Sequence, residues 1–198
     1  MSKIKHYAKT LDKHENQIIY KFGQHPVLIG LSSYNYEKIL IQRRFLSLHF
    51  TGFYDRAIDG LEDAEAKRIA REIVREEYPR GMRSHRELLV SDLLKLGLSK
   101  ERILIAKPSS KTKKTIEGLD DLVMFEKEDY EIKAIVALRL AGEVFVAEEY
   151  KFILPVLEIK YGLTETQSEF YAEHFKHDKK EFPIYKSGKG SHSDRFSK

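Results

Sequence analysis

Between Ala134 and Ala147 the sequence reads AIVALRLAGEVFVA, and its only charged residues are Arg139 and Glu143. An apolar run of this kind, with no alternation of polar and apolar residues, packs as a helix buried on most of its sides. Elsewhere the apolar residues also recur at three and four. The breaks fall at proline and glycine: His25-Pro26, Tyr78-Pro79-Arg80-Gly81, Gly97, Lys107-Pro108, Tyr161-Gly162 and Phe182-Pro183. This pattern predicts helices near 35–59, 62–77, 85–96, 115–125, 129–160 and 165–181, with a short one around 8–22. Two starts carry capping-box signatures, Ser84 with Glu87 and Thr164 with Gln167. The fold expected is all-α, a single-domain bundle of about seven helices over 1–183, followed by a disordered basic tail at 184–198.

A chain of 198 residues, 41% hydrophobic, suffices for one sizeable domain. A sequence pI near 9.0 invites a nucleic-acid reading. The charge is local, however. Of the net +4, the tail KSGKGSHSDRFSK holds +3, from Lys186, Lys189, Arg195 and Lys198 against Asp194, which leaves +1 for the rest. The basic run KPSSKTKK at 107–114 reads as a solvated loop. No nucleic-acid partner is therefore expected.

Cysteine is absent, which excludes disulfides, zinc ribbons and thiol nucleophiles. The first residues lack an apolar signal region, and no stretch approaches the roughly 20 apolar residues of a membrane span. The expectation is a cytoplasmic protein without a membrane partner. Gly-rich phosphate loops, GxSxG elbows and HExxH pairs are also absent.

Several acids and histidines stand on faces where apolar residues belong. Glu143 lies on a core seam with Leu140, Val136, Ala147 and Tyr150. A buried carboxylate must meet a cation, a proton or a metal. Arg139, one turn away, is the bland partner; a metal is the other. The face of Ala66, Ile69 and Ile73 continues onto Glu76 and Glu77, at a helix C-terminus whose dipole disfavours them. His85 follows a Pro/Gly turn that can fold it back towards Glu76. Near the end, His174, Asp178 and Glu181 share a stripe about 60° wide on one helix, flanked by Phe170, Tyr171, Phe175 and Phe182. A solvated charged face is the competing reading of that stripe. Together, Glu76, His85, Glu143, His174, Asp178 and Glu181 make an oxygen- and imidazole-rich set that suits non-haem iron or manganese, commonly in pairs, inside a helical bundle.

The order EE...SH at 76–85, VALRLAGE ending at Glu143 and EHFKHDKKE at 173–181 resembles the haem-oxygenase-like di-iron oxidases and oxygenases. Within them it is most similar to the branch of the chlamydial protein associating with death domains, and more distantly to the pyrroloquinoline-quinone synthase and thiaminase II relatives. The resemblance implies a haem-oxygenase-like fold and two irons per chain, with manganese as an alternative. It also implies a small-molecule substrate and O2 as partners. The family's pattern of Glu, His, central Glu and final His-xxx-Asp-xx-His maps onto Glu76, His85, Glu143, His174 and Asp178. Glu181 stands where the family has histidine. The branch uses a tyrosine and a lysine in making 4-aminobenzoate; here the residue before the central Glu is Gly142, and Lys151 is out of register by about two positions. Thiaminase II needs a cysteine, which this chain lacks.

The function expected is a di-iron oxidase or oxygenase acting on a small organic molecule or on its own side chain. A metal-free oxidase or binding pocket, and a protein-interaction module using the lysine-rich helix and tail, are the alternatives. A homodimer is compatible with each.

Overall fold

The computed structural model describes residues 3–124 and 129–179, with side chains described from Lys9 onward. Among these residues there is no strand; the expected all-α class is the observed one. The helices are α1 (Lys3–Gly23), α2 (Pro26–Ile29), α3 (Tyr36–Gly60), α4 (Ala64–Glu76), α5 (His85–Lys95), α6 (Lys100–Ile105), α7 (Ser110–Leu122), α8 (Tyr130–Ala137), α9 (Phe145–Tyr161) and α10 (Tyr171–Asp178). A 3-10 turn spans Leu31–Ser33, and a π-helical segment, Leu138–Val144, joins α8 to α9. No described helix is long and apolar enough to cross a membrane.

Local chemistry sets most starts. Asn35 accepts from Lys38 N at 3.1 Å and Asp63 from Ala66 N at 2.7 Å, while Ser84 and Glu87 close the predicted capping box. Ser109 caps α7 through Thr112 N, so the basic run at 107–114 is not a loop but supplies a cap and the first turn of a helix. The segment after Thr164 departs further from expectation. Only half of its Thr–Gln box forms, with Gln167 Oε1 accepting from Thr164 N while Gln167 N donates to the Thr164 carbonyl, and 164–170 is a turn, so that the helix starts only at Tyr171. The cause lies on α5. Asp92, fully buried, accepts from Ser168 Oγ (2.8 Å), Glu169 N (3.0 Å) and Phe170 N (2.9 Å), and so takes backbone donors that a helix begun at 165 would have turned onto its own carbonyls.

Two apolar clusters share α3. One packs Tyr36 and Leu40 against Leu89, Leu93, Ile153 and Tyr171; the other packs Phe53, Tyr54 and Ala57 against Ile69, Ile73 and Leu138. Between them lies a cavity of about 460 Å³, walled by Phe22, Phe50, Phe53, Phe145 and Leu89 among others. α1 leans on the same region, with Phe22 stacked on Phe145 at 4.5 Å between ring centroids.

The start of α10 is also pinned by Glu169, which binds Lys95 Nζ (2.7 Å), Ser91 Oγ (2.7 Å) and Arg83. Lys95 first, then Ser91, and more weakly Arg83, hold its carboxyl down at about 2. A depressed carboxylate stabilises the fold above its unfolded pKa, near 4.5, and loses that contribution as the pH falls through about 2. We expect Glu169→Gln to lower the urea midpoint at pH 6 and to differ little from the parent chain at pH 2. An equal deficit at both values would remove charge from the account. The site is partly solvated, so the effect is modest.

Candidate metal centre

The apolar face of α4 runs through Ala66, Ile69, Ala70 and Ile73, and its next i+4 position is Glu77, which caps the helix. The intervening turn closes back on that residue. His85 N donates to Glu77 O (3.2 Å), and His85 Nδ1 lies 2.8 Å from Glu77 Oε1. Glu76, expected in this role, is half-buried and stands outside the grouping. The one-residue difference follows from helical geometry, since the buried stripe reaches the turn at 77.

His174, on the first full turn of α10, faces His85 with 4.6 Å between ring centroids. Its Nδ1 lies 2.8 Å from Phe170 O, which fixes the proton there and leaves Nε2 as the acceptor. Glu77, His85 and His174 offer ligand atoms that all fall within 4.8 Å of one another. Two imidazoles and one carboxylate are the donor set of non-haem Fe(II) sites with open positions. The residues present therefore fit iron.

Glu143 and Asp178 line the same cavity, 1% and 3% exposed. Glu143 does not pair with Arg139. The π segment carries both, but Arg139 reaches α1, where its Nε and Nη2 bind Glu15 at 2.6 and 3.1 Å. Glu143 instead accepts a hydrogen bond from the Tyr54 hydroxyl on α3. Burial above all, then the Glu143 charge and hydrogen bond, then Asp178 and Glu77, push the Tyr54 phenol well above its ordinary pKa. Three carboxylates from α4, the π segment and α10 thus converge on one protonated phenol. π turns inside α-helices are rare and frequently mark functional sites.

Tyr54 explains Gly142. A Cβ at 142 would stand 2.7 Å from the Tyr54 hydroxyl and 3.0 Å from its ring. We expect Gly142→Ala to cost about 1–3 kcal/mol by overpacking, read as a lower urea midpoint, and Gly142→Ala with Tyr54→Phe to recover part of it. No recovery would mean that the phenol is not what occupies the space.

His177, beside the expected residues of this helix, is exposed and lies at the cavity edge, with Nε2 3.8 Å from Glu173 Oε2. Glu181 lies outside the described residues, as does the tail. Lys151 is 60% exposed beside Glu148 and does not line the cavity. Sequence reasoning missed Tyr54, although a glycine inside an apolar helix was a signal of close approach. It also missed Arg43, buried on the cavity wall, where it binds Glu149 (2.5 Å) and Ser47 (3.2 Å) and stacks on Tyr150. Burial opposes the Arg43 charge, but Glu149 outweighs it and holds the guanidinium above its usual pKa.

Fold and site together define a helical protein whose cavity gathers a His/Glu centre of the kind that binds iron. The chain belongs to the family of iron-containing redox enzymes, whose model matches residues 37–194. It is accordingly an oxidoreductase, and iron is the metal that its family indicates. No curated protein and no solved structure matches it.

Proposed function

We propose that this protein is a non-haem di-iron oxidase or oxygenase that uses O2 to oxidise a small organic molecule held in the apolar cavity. The observation that carries the reading is the grouping of Glu77, His85 and His174 within 4.8 Å, on a cavity that buried Glu143 and Asp178 also line. In this reading Glu77, His85 and His174 would hold iron through two imidazoles and a carboxylate, and Glu143, Asp178 and Glu181 would supply the further carboxylates. Iron held there would supply one-electron redox chemistry and O2 activation.

The protein's own groups do the rest. Phe170 O keeps His174 in the tautomer that presents Nε2. Tyr54 keeps a proton on the Glu143 side of the site, and phenylalanines make up much of the cavity wall. The cavity lies within the size range of small-molecule pockets, which favours an external substrate over a side chain. The exposed position of Lys151 argues in the same direction, away from 4-aminobenzoate chemistry.

Iron analysis of protein purified without chelator and loaded anaerobically with Fe(II) tests the reading, with about two ions per chain expected. Fe(II)-dependent oxygen uptake at an electrode is the companion measurement. A chain that retains no iron would sink the proposal and leave acid/base chemistry by the same residues.

A further inference from the structure

Arg86, on α5, donates from Nη2 to Leu48 O (3.0 Å) and Thr51 Oγ1 (2.8 Å) on α3. Leu48 is one turn beyond Arg44, so the two guanidinium groups share one face of α3. Each has a buried Nε–H without a hydrogen-bond partner among the described residues. No carboxylate of the described residues forms an ion pair with either; the Arg44 guanidinium lies 5.9 Å from the Phe45 ring and that of Arg86 5.6 Å from the Tyr78 ring. Buried polar groups in folded proteins are nearly always bonded, and two neighbouring guanidinium groups repel.

Contrast Arg43 beside them, which is buried more deeply and fully matched by Glu149. Charge matching is therefore available in this part of the fold and is absent at 44 and 86. Burial, and after it the Arg86 charge, draw the Arg44 pKa below its ordinary value, as expected for a cation facing a cation. What would satisfy both Nε–H groups and cancel the repulsion is an acceptor with several oxygens and negative charge, the partner that the guanidinium fork matches best.

We propose that Arg44 and Arg86 form an oxyanion-binding site between α3 and α5, taking a phosphate or a carboxylate group. Arg86 also lines the cavity and Arg44 does not, so the site stands at the cavity wall, and neither arginine belongs to the Glu77, His85 and His174 grouping. It does not depend on the metal.

Phenylglyoxal modification with peptide mapping tests the site on the unaltered chain. Inorganic phosphate and acetate are each exchanged for chloride at constant ionic strength. Protection of Arg44 and Arg86 by phosphate alone assigns a phosphate group, and protection by acetate as well assigns a carboxylate-type oxyanion. Labelling that neither anion slows beyond chloride would overturn the proposal, because a carboxylate of the chain itself would then hold the site. Melting temperatures give the second arm. A saturating anion should raise the midpoint by roughly 5 °C. Arg44→Gln should melt higher than the parent chain without the anion and lose the anion-dependent rise. An Arg44→Gln chain that melts lower without the anion, or keeps the rise, would show that the guanidinium groups are satisfied within the fold and overturn the site.

Discussion

Glu77→Ala is expected to lower iron affinity by more than about 100-fold, whereas Glu76→Ala should leave it within a few-fold of the parent chain. Loss of a partner outside the ligand set already costs about 10–100-fold in metal affinity, and removal of a ligand costs more. Both glutamates stand at the end of α4, both are half-buried or better, and their substitution changes the helix terminus alike. Only Glu77 brings an oxygen to His85 and His174. Anaerobic Fe(II) titration of the two variants, with circular dichroism to confirm equal helicity, separates them. Equal loss in both would return the role to the C-terminal charge of the helix, and no loss in either would remove α4 from the centre.

That pair of residues also shows how far the sequence could be read. The long helices were legible because their apolar period and caps are local, as with Ser84 and Glu87. The short α2 and α6 were not, since four to six residues carry too little periodicity. The late start of α10 was hidden because Asp92, some 76–78 residues away in sequence, claims its first donors. In the site, His85, Glu143, His174 and Asp178 were visible as polar side chains on apolar faces, and the structure sets all four on one cavity. Which of two adjacent glutamates joins them depended on where α4 ends. Their long-range partners left little trace beyond Gly142, which marks a close approach without naming what approaches. Tyr54 meets Glu143 across 89 positions and Glu15 meets Arg139 across 124, and a charge pattern read along one helix had offered Arg139 to Glu143 instead.

The Glu15 contact carries the second large effect. Glu15 and Arg139 are 6% and 7% exposed, joined by two hydrogen bonds, and Arg139 belongs to the same π segment as Glu143. Glu15→Ala leaves a guanidinium buried without its carboxylate, which costs about 3–5 kcal/mol, or roughly 10 °C in the melting midpoint. The double change Glu15→Leu with Arg139→Met removes the charge together with its partner and should recover most of that loss, since an apolar pair of similar volume often replaces a buried ion pair without penalty. If the pair serves only stability, the double variant binds iron as the parent chain does. If it also sets the π turn, the double variant melts normally yet binds iron weakly, because Glu143 is no longer presented to Tyr54 and the cavity. A small loss in Glu15→Ala, under about 1 kcal/mol, would place Arg139 in contact with solvent and remove α1 from the account of the site.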